Sequence, residues 1–252
     1  MSEEEANLAA RDAGAADSIP ERALVVVAHP DDCDFGSAGT VATWAAKGAQ
    51  VSYCIVTDGA AGSSDPDVDL SNLAETRQQE QRAAAAAVGV HDVTFLGYPD
   101  GRLTPSLEVR RDIAREIRRA RPDVVVSQSP QRWFDRIRAS HPDHLAAGEA
   151  TLCAVYPDAR NPYAFPELLS DERLEPFEVP EVWLMASPVP NRYVDISQHV
   201  EDKIAALLCH RSQIAKPDEL AEMIRGWALT TGEVSGLGQG TMAEAFQVVD
   251  TR

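Results

Sequence analysis

No run of apolar residues in this chain is long enough to span a bilayer, which excludes a transmembrane helix. Basic residues are scarce: 23 against 40 acidic ones among 252, giving a formal charge of −17 and a pI near 4.7. So acidic a surface repels phosphate backbones and anionic lipid, which argues against nucleic acid and membrane insertion. The four cysteines, Cys33, Cys54, Cys153 and Cys209, form no Cys-x-x-Cys pair. Neither a structural zinc knot nor a disulfide framework is expected, and a reducing cytoplasm is the default compartment. The opening Met1-Ser2-Glu3-Glu4-Glu5 is acidic where a secretory signal is basic and then apolar. There is no P-loop and no G-x-S-x-G elbow, since Phe35-Gly36-Ser37-Ala38-Gly39 lacks the first glycine. Gly236 to Gly240 has the wrong spacing for a dinucleotide loop and reads as a mobile segment.

What is present is 44% hydrophobic residue in a pattern of short apolar runs and helical stretches. Residues 1–22 lack an apolar face and read as a flexible acidic leader; 23–252 read as a single domain. Ala23 to Ala28 (ALVVVA) has the continuous apolarity of a strand buried on both faces. Further strands are expected at 50–56, 93–96, 123–127, 182–186 and 193–196. Helices are expected at 37–47, 71–88, 107–120, 141–155 and 198–209. Tyr156 to Pro180 reads as a long irregular excursion. The alternation predicts an α/β fold with a Rossmann-like, mostly parallel sheet and helices on both faces. Ligands then bind beyond the carboxyl ends of the strands, where every polar cluster of this sequence falls.

The first cluster is His29-Pro30-Asp31-Asp32-Cys33-Asp34. A helix-start turn explains one Asp there, but three carboxylates so close raise one another's pKa. A divalent cation removes that conflict, with one Asp on the metal and its neighbour on a water beside it. The second cluster, Ser140-His141-Pro142-Asp143-His144, has Ser140 as an N-cap and Asp143 at the capping-box position. Capping does not account for two histidines. Together the clusters point to a metal site of two His and one carboxylate.

With both motifs in view, the chain resembles the PIG-L/LmbE family of metal-dependent N-acetylglucosaminyl deacetylases and related amidases. The resemblance covers about 23–213. It rests on AHPDD (Ala28–Asp32), TDG (Thr57–Gly59), the Arg77-Gln78-Gln79-Glu80 helix, LGYPDG (Leu96–Gly101), HPDH (His141–His144) and KIAALLCHRSQ (Lys203–Gln213). It implies a metal, zinc with ferrous iron as alternative, held by His29, Asp32 and His144. Asp31 is then the general base and His141 the donor to the oxyanion or leaving amine, with Asp143 modulating it. Arg77 and Asp100 match residues used on the sugar. The implied substrate is a small N-acyl amino sugar or glycoconjugate, with self-association left open. A thiol-conjugate amidase of the same family and a catalytically silent sugar-binding module are the alternatives. Many members have Glu after the second Asp, where this chain has Cys33 and then Asp34; Cys33 is expected to be a buried, inert thiol. By themselves, Arg77 and Glu80 suit an exposed ion pair, Asp58 and Asp100 suit turns, and His210 and Gln213 suit a helix end, though for these last two the resemblance implies a supporting role at the site.

Overall fold

The computed structural model describes residues 19–252. Of the expected leader, 1–18 lie outside the described residues, and Arg22 already belongs to the first strand. The strands are β1 (Arg22–Val27), β2 (Gln50–Thr57), β3 (Asp92–Tyr98), β4 (Val124–Gln128), β5 (Glu181–Met185), β6 (Arg192–Asp195) and β7 (Ala243–Asp250). The helices are α1 (Asp32–Ala46), α2 (Leu70–Ala87), α3 (Leu107–Ala120), α4 (Pro142–Cys153), α5 (Pro166–Ser170), α6 (Val200–Leu207) and α7 (Pro217–Ser235). The seven strands form one sheet in the order β3-β2-β1-β4-β5-β7-β6. The first five are parallel, and β7 runs antiparallel between β5 and β6.

β1 shows why the sheet is double-faced. Ala23, Val25 and Val27 join one core with α1 and the aromatic pair Trp44 and Trp183, whose centroids lie 5.2 Å apart. Leu24, Val26 and Ala28 point to the opposite core with Ile113, Ile117 and Ala147 of α3 and α4. Each such valine or leucine contributes about 1.5–3 kcal/mol when fully buried, which a run of five buried strand residues exploits on both faces.

Two expectations need correcting, the start of the first helix and the cap of α4. The first helix begins at Asp32 rather than at 37, so the acidic cluster forms its first turn. Gly236 to Gly240 is the connection from α7 to β7, with Gly236 closing α7 at φ 76°. A short 3-10 segment, Phe134–Ser140, precedes α4, and Ser140 does not cap that helix: its hydroxyl accepts the Trp133 N–H. The cap is His141, whose Nδ1 accepts the Asp143 N–H at 3.2 Å. No helix among the described residues is long and apolar enough to cross a membrane.

Candidate active site

β1 and β4 are adjacent, and the clusters that follow them meet at their carboxyl ends. The rings of His29, His141 and His144 lie 5.0–5.3 Å apart, centroid to centroid. Asp32 lies between two of them, with Oδ2 3.2 Å from His29 Nδ1 and Oδ1 3.1 Å from His144 Nε2. Gln128, at the end of β4, bridges the strands: its Oε1 accepts from Ala28 N and its Nε2 donates to Asp32 Oδ2 at 2.8 Å.

The remaining ring nitrogens settle the tautomers. His144 Nδ1 lies 3.3 Å from the Ala139 carbonyl, which accepts only if Nδ1 carries the proton. His29 Nε2 lies 3.0 Å from Asp100 Oδ1 and 3.4 Å from Asp143 Oδ2, and these carboxylates likewise require an N–H. Neutral imidazoles would therefore aim two lone pairs at the Asp32 carboxylate. That conflict calls for a positive charge at the meeting point. His29 Nδ1 and His144 Nε2 approach the two different oxygens of Asp32, at 3.2 and 3.1 Å, and His29, His141 and His144 each bring a ring nitrogen within 4.8 Å of the others, as do His29, Asp100 and Asp143 with one ligand atom each. The donor set fits a divalent cation.

Without a cation, protons on the imidazoles answer the same conflict. Burial pulls the His29 pKa down, but Asp100, Asp143 and Asp32 outweigh it and push it up to about 12. Around Asp32, burial favours the neutral acid, yet His144 and His29 hold its carboxyl well below the usual range. His141 behaves oppositely: burial and the neighbouring His29 and His144 lower its pKa, so the ring is neutral at pH 7.

Asp31 sits at φ 97°, in the left-handed region that costs a non-glycine residue about 1–2 kcal/mol. Burial and the charge of Asp32 raise its pKa to about 7 against the pull of Arg77. Arg77 lies behind it with a side chain 4% exposed. Its guanidinium donates to Gly59 O, Pro30 O and Asp31 Oδ2 at 2.8, 2.6 and 3.2 Å. It forms no ion pair with Glu80, which instead accepts from Ser212 N and Oγ. Asp100 faces His29 and accepts the Ala61 N–H, while Asp58 accepts the N–H groups of Ala60 and Asp100. Asp143 is buried and accepts from Gly101 N and Leu103 N, pinning the turn after β3.

Further residues stand behind this front. His210 Nε2 reaches Asp34 Oδ2 at 2.8 Å, and Gln81 joins Asp34 to the Asp31 backbone. Nothing in the local pattern of Gln81 marks it. Gln213 donates to Ser212 rather than to the cluster. Cys33 is fully buried among Val25, Val27 and Trp44, and burial together with Asp34 and Asp32 raises its thiol pKa. A cavity of about 310 Å³, lined by Trp133, Tyr193, Lys203 and Trp227, includes none of the polar cluster.

A family model described as PIG-L, GlcNAc-PI de-N-acetylase, matches residues 24–155, more than half of the chain. The chain belongs to the PIG-L family. A diacetylchitobiose deacetylase of Thermococcus kodakarensis is 32% identical over 86% of this PIG-L chain and 79% of its own. A 1D-myo-inositol 2-acetamido-2-deoxy-alpha-D-glucopyranoside deacetylase of Saccharopolyspora erythraea is 30% identical, covering 78% and 79%. The solved N,N'-diacetylchitobiose deacetylase of Pyrococcus horikoshii superposes with a TM-score of 0.85 at 30% identity, over 99% of this chain and 94% of that one.

Proposed function

We propose that this PIG-L protein hydrolyses the amide of an N-acetylglucosamine-type sugar or glycoconjugate, releasing acetate, with a divalent cation held by His29, Asp32 and His144. The observation that carries the reading is the convergence of His29 Nδ1 and His144 Nε2 on Asp32, each ring fixed through its other nitrogen. Zinc suits two imidazoles and a carboxylate; ferrous iron is the alternative. His141 also lies close, but it spends Nδ1 on Asp143 N and is better placed as a donor than as a ligand. The substrate class follows the relatives, both of them deacetylases of acetamido sugars.

When bound, the cation polarises the acyl carbonyl and lowers the pKa of water. The chain's own groups do the rest. Asp31, unencumbered by ligation, takes a proton from the attacking water and returns it to the departing nitrogen. Arg77 holds the Asp31 carboxylate in place from behind. His141 accepts a backbone N–H on Nδ1, so its proton sits on Nε2, and as a neutral N–H donor it stabilises the developing oxyanion. Asp100 orients His29 and, at the cleft, is our candidate for a sugar hydroxyl. Four free cysteines support a reducing, cytoplasmic setting, and the single sheet from Arg22 to Asp250 supports one catalytic unit.

The test is acetate release from a panel of N-acetylglucosaminides, run as purified, after chelation and after zinc is restored. Acetate that appears only with metal supports the reading. No acetate from any member, or release indifferent to chelation, overturns it.

A further inference from the structure

We infer that Gln81, Asp34 and His210 form a buried positioning chain that fixes the strained backbone of the base, Asp31; this rests on the assignment of Asp31 above. All three side chains are fully buried and come from α2, α1 and the turn after α6. Asp31 N donates to Gln81 Oε1 at 2.7 Å, Gln81 Nε2 donates to Asp34 Oδ2 at 2.9 Å, and His210 Nε2 donates to that same oxygen at 2.8 Å.

The orientation of the chain is forced. A backbone N–H only donates, so the Gln81 oxygen must face Asp31 and its amide nitrogen must face Asp34. A carboxylate at Asp34 then accepts from both sides, and His210 must carry its proton on Nε2. No residue can be inverted without leaving two donors or two acceptors face to face.

What the chain holds is a conformation that Asp31 would not choose. At φ 97° and ψ −27°, Asp31 turns the strand end into α1. Its carbonyl is engaged by the N–H groups of Asp34 and Phe35, inside the helix it caps. Its N–H is engaged by Gln81 alone. The bond from α2 is thus the tertiary tether on the residue whose carboxylate must face the attacking water, and Arg77 from the same helix face, four residues earlier, grips that carboxylate. Asp34 stands one place beyond the glutamate that many family members carry. In this chain it supplies the anion that pins Gln81.

The role is positioning, so the tether should govern turnover rather than affinity. The experiment uses the full chain, with Gln81→Met, His210→Leu and His210→Gln set beside wild type and Asp31→Asn. Gln81→Met keeps shape and removes both bonds. His210→Gln keeps an N–H near the position of Nε2, whereas His210→Leu does not. We expect Gln81→Met and His210→Leu to retain wild-type metal content and a KM within about twofold, with kcat down about 10- to 100-fold, the scale of a base misplaced by a fraction of an ångström to one ångström. His210→Gln should recover most of that loss.

A second readout needs no activity. In the ¹⁵N-labelled protein without metal, protection of the Asp31 amide against hydrogen exchange should fall at least about tenfold in Gln81→Met, while β1 amides keep theirs. Unchanged protection of that amide, or kcat within twofold of wild type in Gln81→Met, overturns the inference. If Asp31→Asn itself retains turnover, the assignment of the base fails instead, and the exchange result still decides the tether. Should Gln81→Met not fold, the difference between His210→Leu and His210→Gln in both readouts decides.

Discussion

Gly148 lies on α4 one turn beyond His144, on the same helix face, and packs against the end of β4. A methyl group there would lie 2.2 Å from Gln128 O and 3.0 Å from Pro130 N. Backbone atoms cannot swing aside as a side chain can. Restoring even 3.0 Å means parting helix and strand by at least about 0.8 Å (3.0 minus 2.2). Overpacking of this kind costs up to about 3 kcal/mol, and the better helix propensity of alanine offsets about 1. Gly148→Ala should therefore lose about 2 kcal/mol, or about 4–8 °C in Tm for a chain of this size. The damage should also reach the site from both sides. α4 carries His141 and His144, while the Gln128 side chain bonds Asp32 at 2.8 Å. A displacement near 1 Å costs on the order of 100-fold in rate. Thermal unfolding, metal content and kcat/KM measured on one preparation check this. The control is Gly226→Ala on α7, which meets nothing within 4 Å and should be neutral or stabilised by up to about 1 kcal/mol with native turnover. A Gly148→Ala protein as stable and as active as wild type would refute the packing argument.

Arg77→Lys keeps a cation but not the three-way fork onto Gly59, Pro30 and Asp31, so kcat should fall about tenfold or more with KM little changed; a pure rise in KM would instead make Arg77 a sugar ligand. Asp143→Asn should destabilise the metal-free fold above pH 5. Burial disfavours the Asp143 carboxylate, but His29 and the N–H groups of Gly101 and Leu103 hold its pKa below the ordinary 3.8. A depressed pKa gives stability that is present above 3.8 and lost as pH falls through the folded value, so the gap to wild type in urea midpoints should close in acid. In native protein Ellman's reagent should modify Cys153 and Cys209, which are partly exposed, while Cys33 and Cys54 react only after unfolding. Rapid reaction of Cys33 would show that the thiol faces the site.

The front of the site was legible because its signals are local. His29 and Asp32, or His141 and His144, sit within one turn of each other, and the three close carboxylates of Asp31, Asp32 and Asp34 demand an explanation in the sequence itself. The backing was not legible. Gln81 looks like a helix-surface residue, and His210, which only the resemblance ties to the site, like a helix end; their meeting on Asp34 spans 47 and 176 residues of chain and depends on how α2 and α6 pack. Arg77 was tied to the site by the resemblance, as a residue used on the sugar; its spacing to Glu80 suggests a surface pair, and the fold turns it inward to Asp31. The parallel part of the sheet followed from the alternation of strands and helices. β7 was missed because it is shielded unevenly, with Ala243 and Phe246 buried but Asp250 exposed, and because Gly236 to Gly240 broke the pattern before it.

The central claim is that one pair of carboxylates divides the labour, Asp32 on the metal and Asp31 on the proton. The measurement that tests it most directly is metal content and acetate release, taken together, for Asp31→Asn and His144→Ala. Asp31→Asn should hold about one divalent ion per chain and lose about 10²- to 10⁴-fold in turnover, the range of a lost general base. His144→Ala should lose the ion and the activity together. Near-native turnover in Asp31→Asn, or full metal content in His144→Ala, would contradict the account.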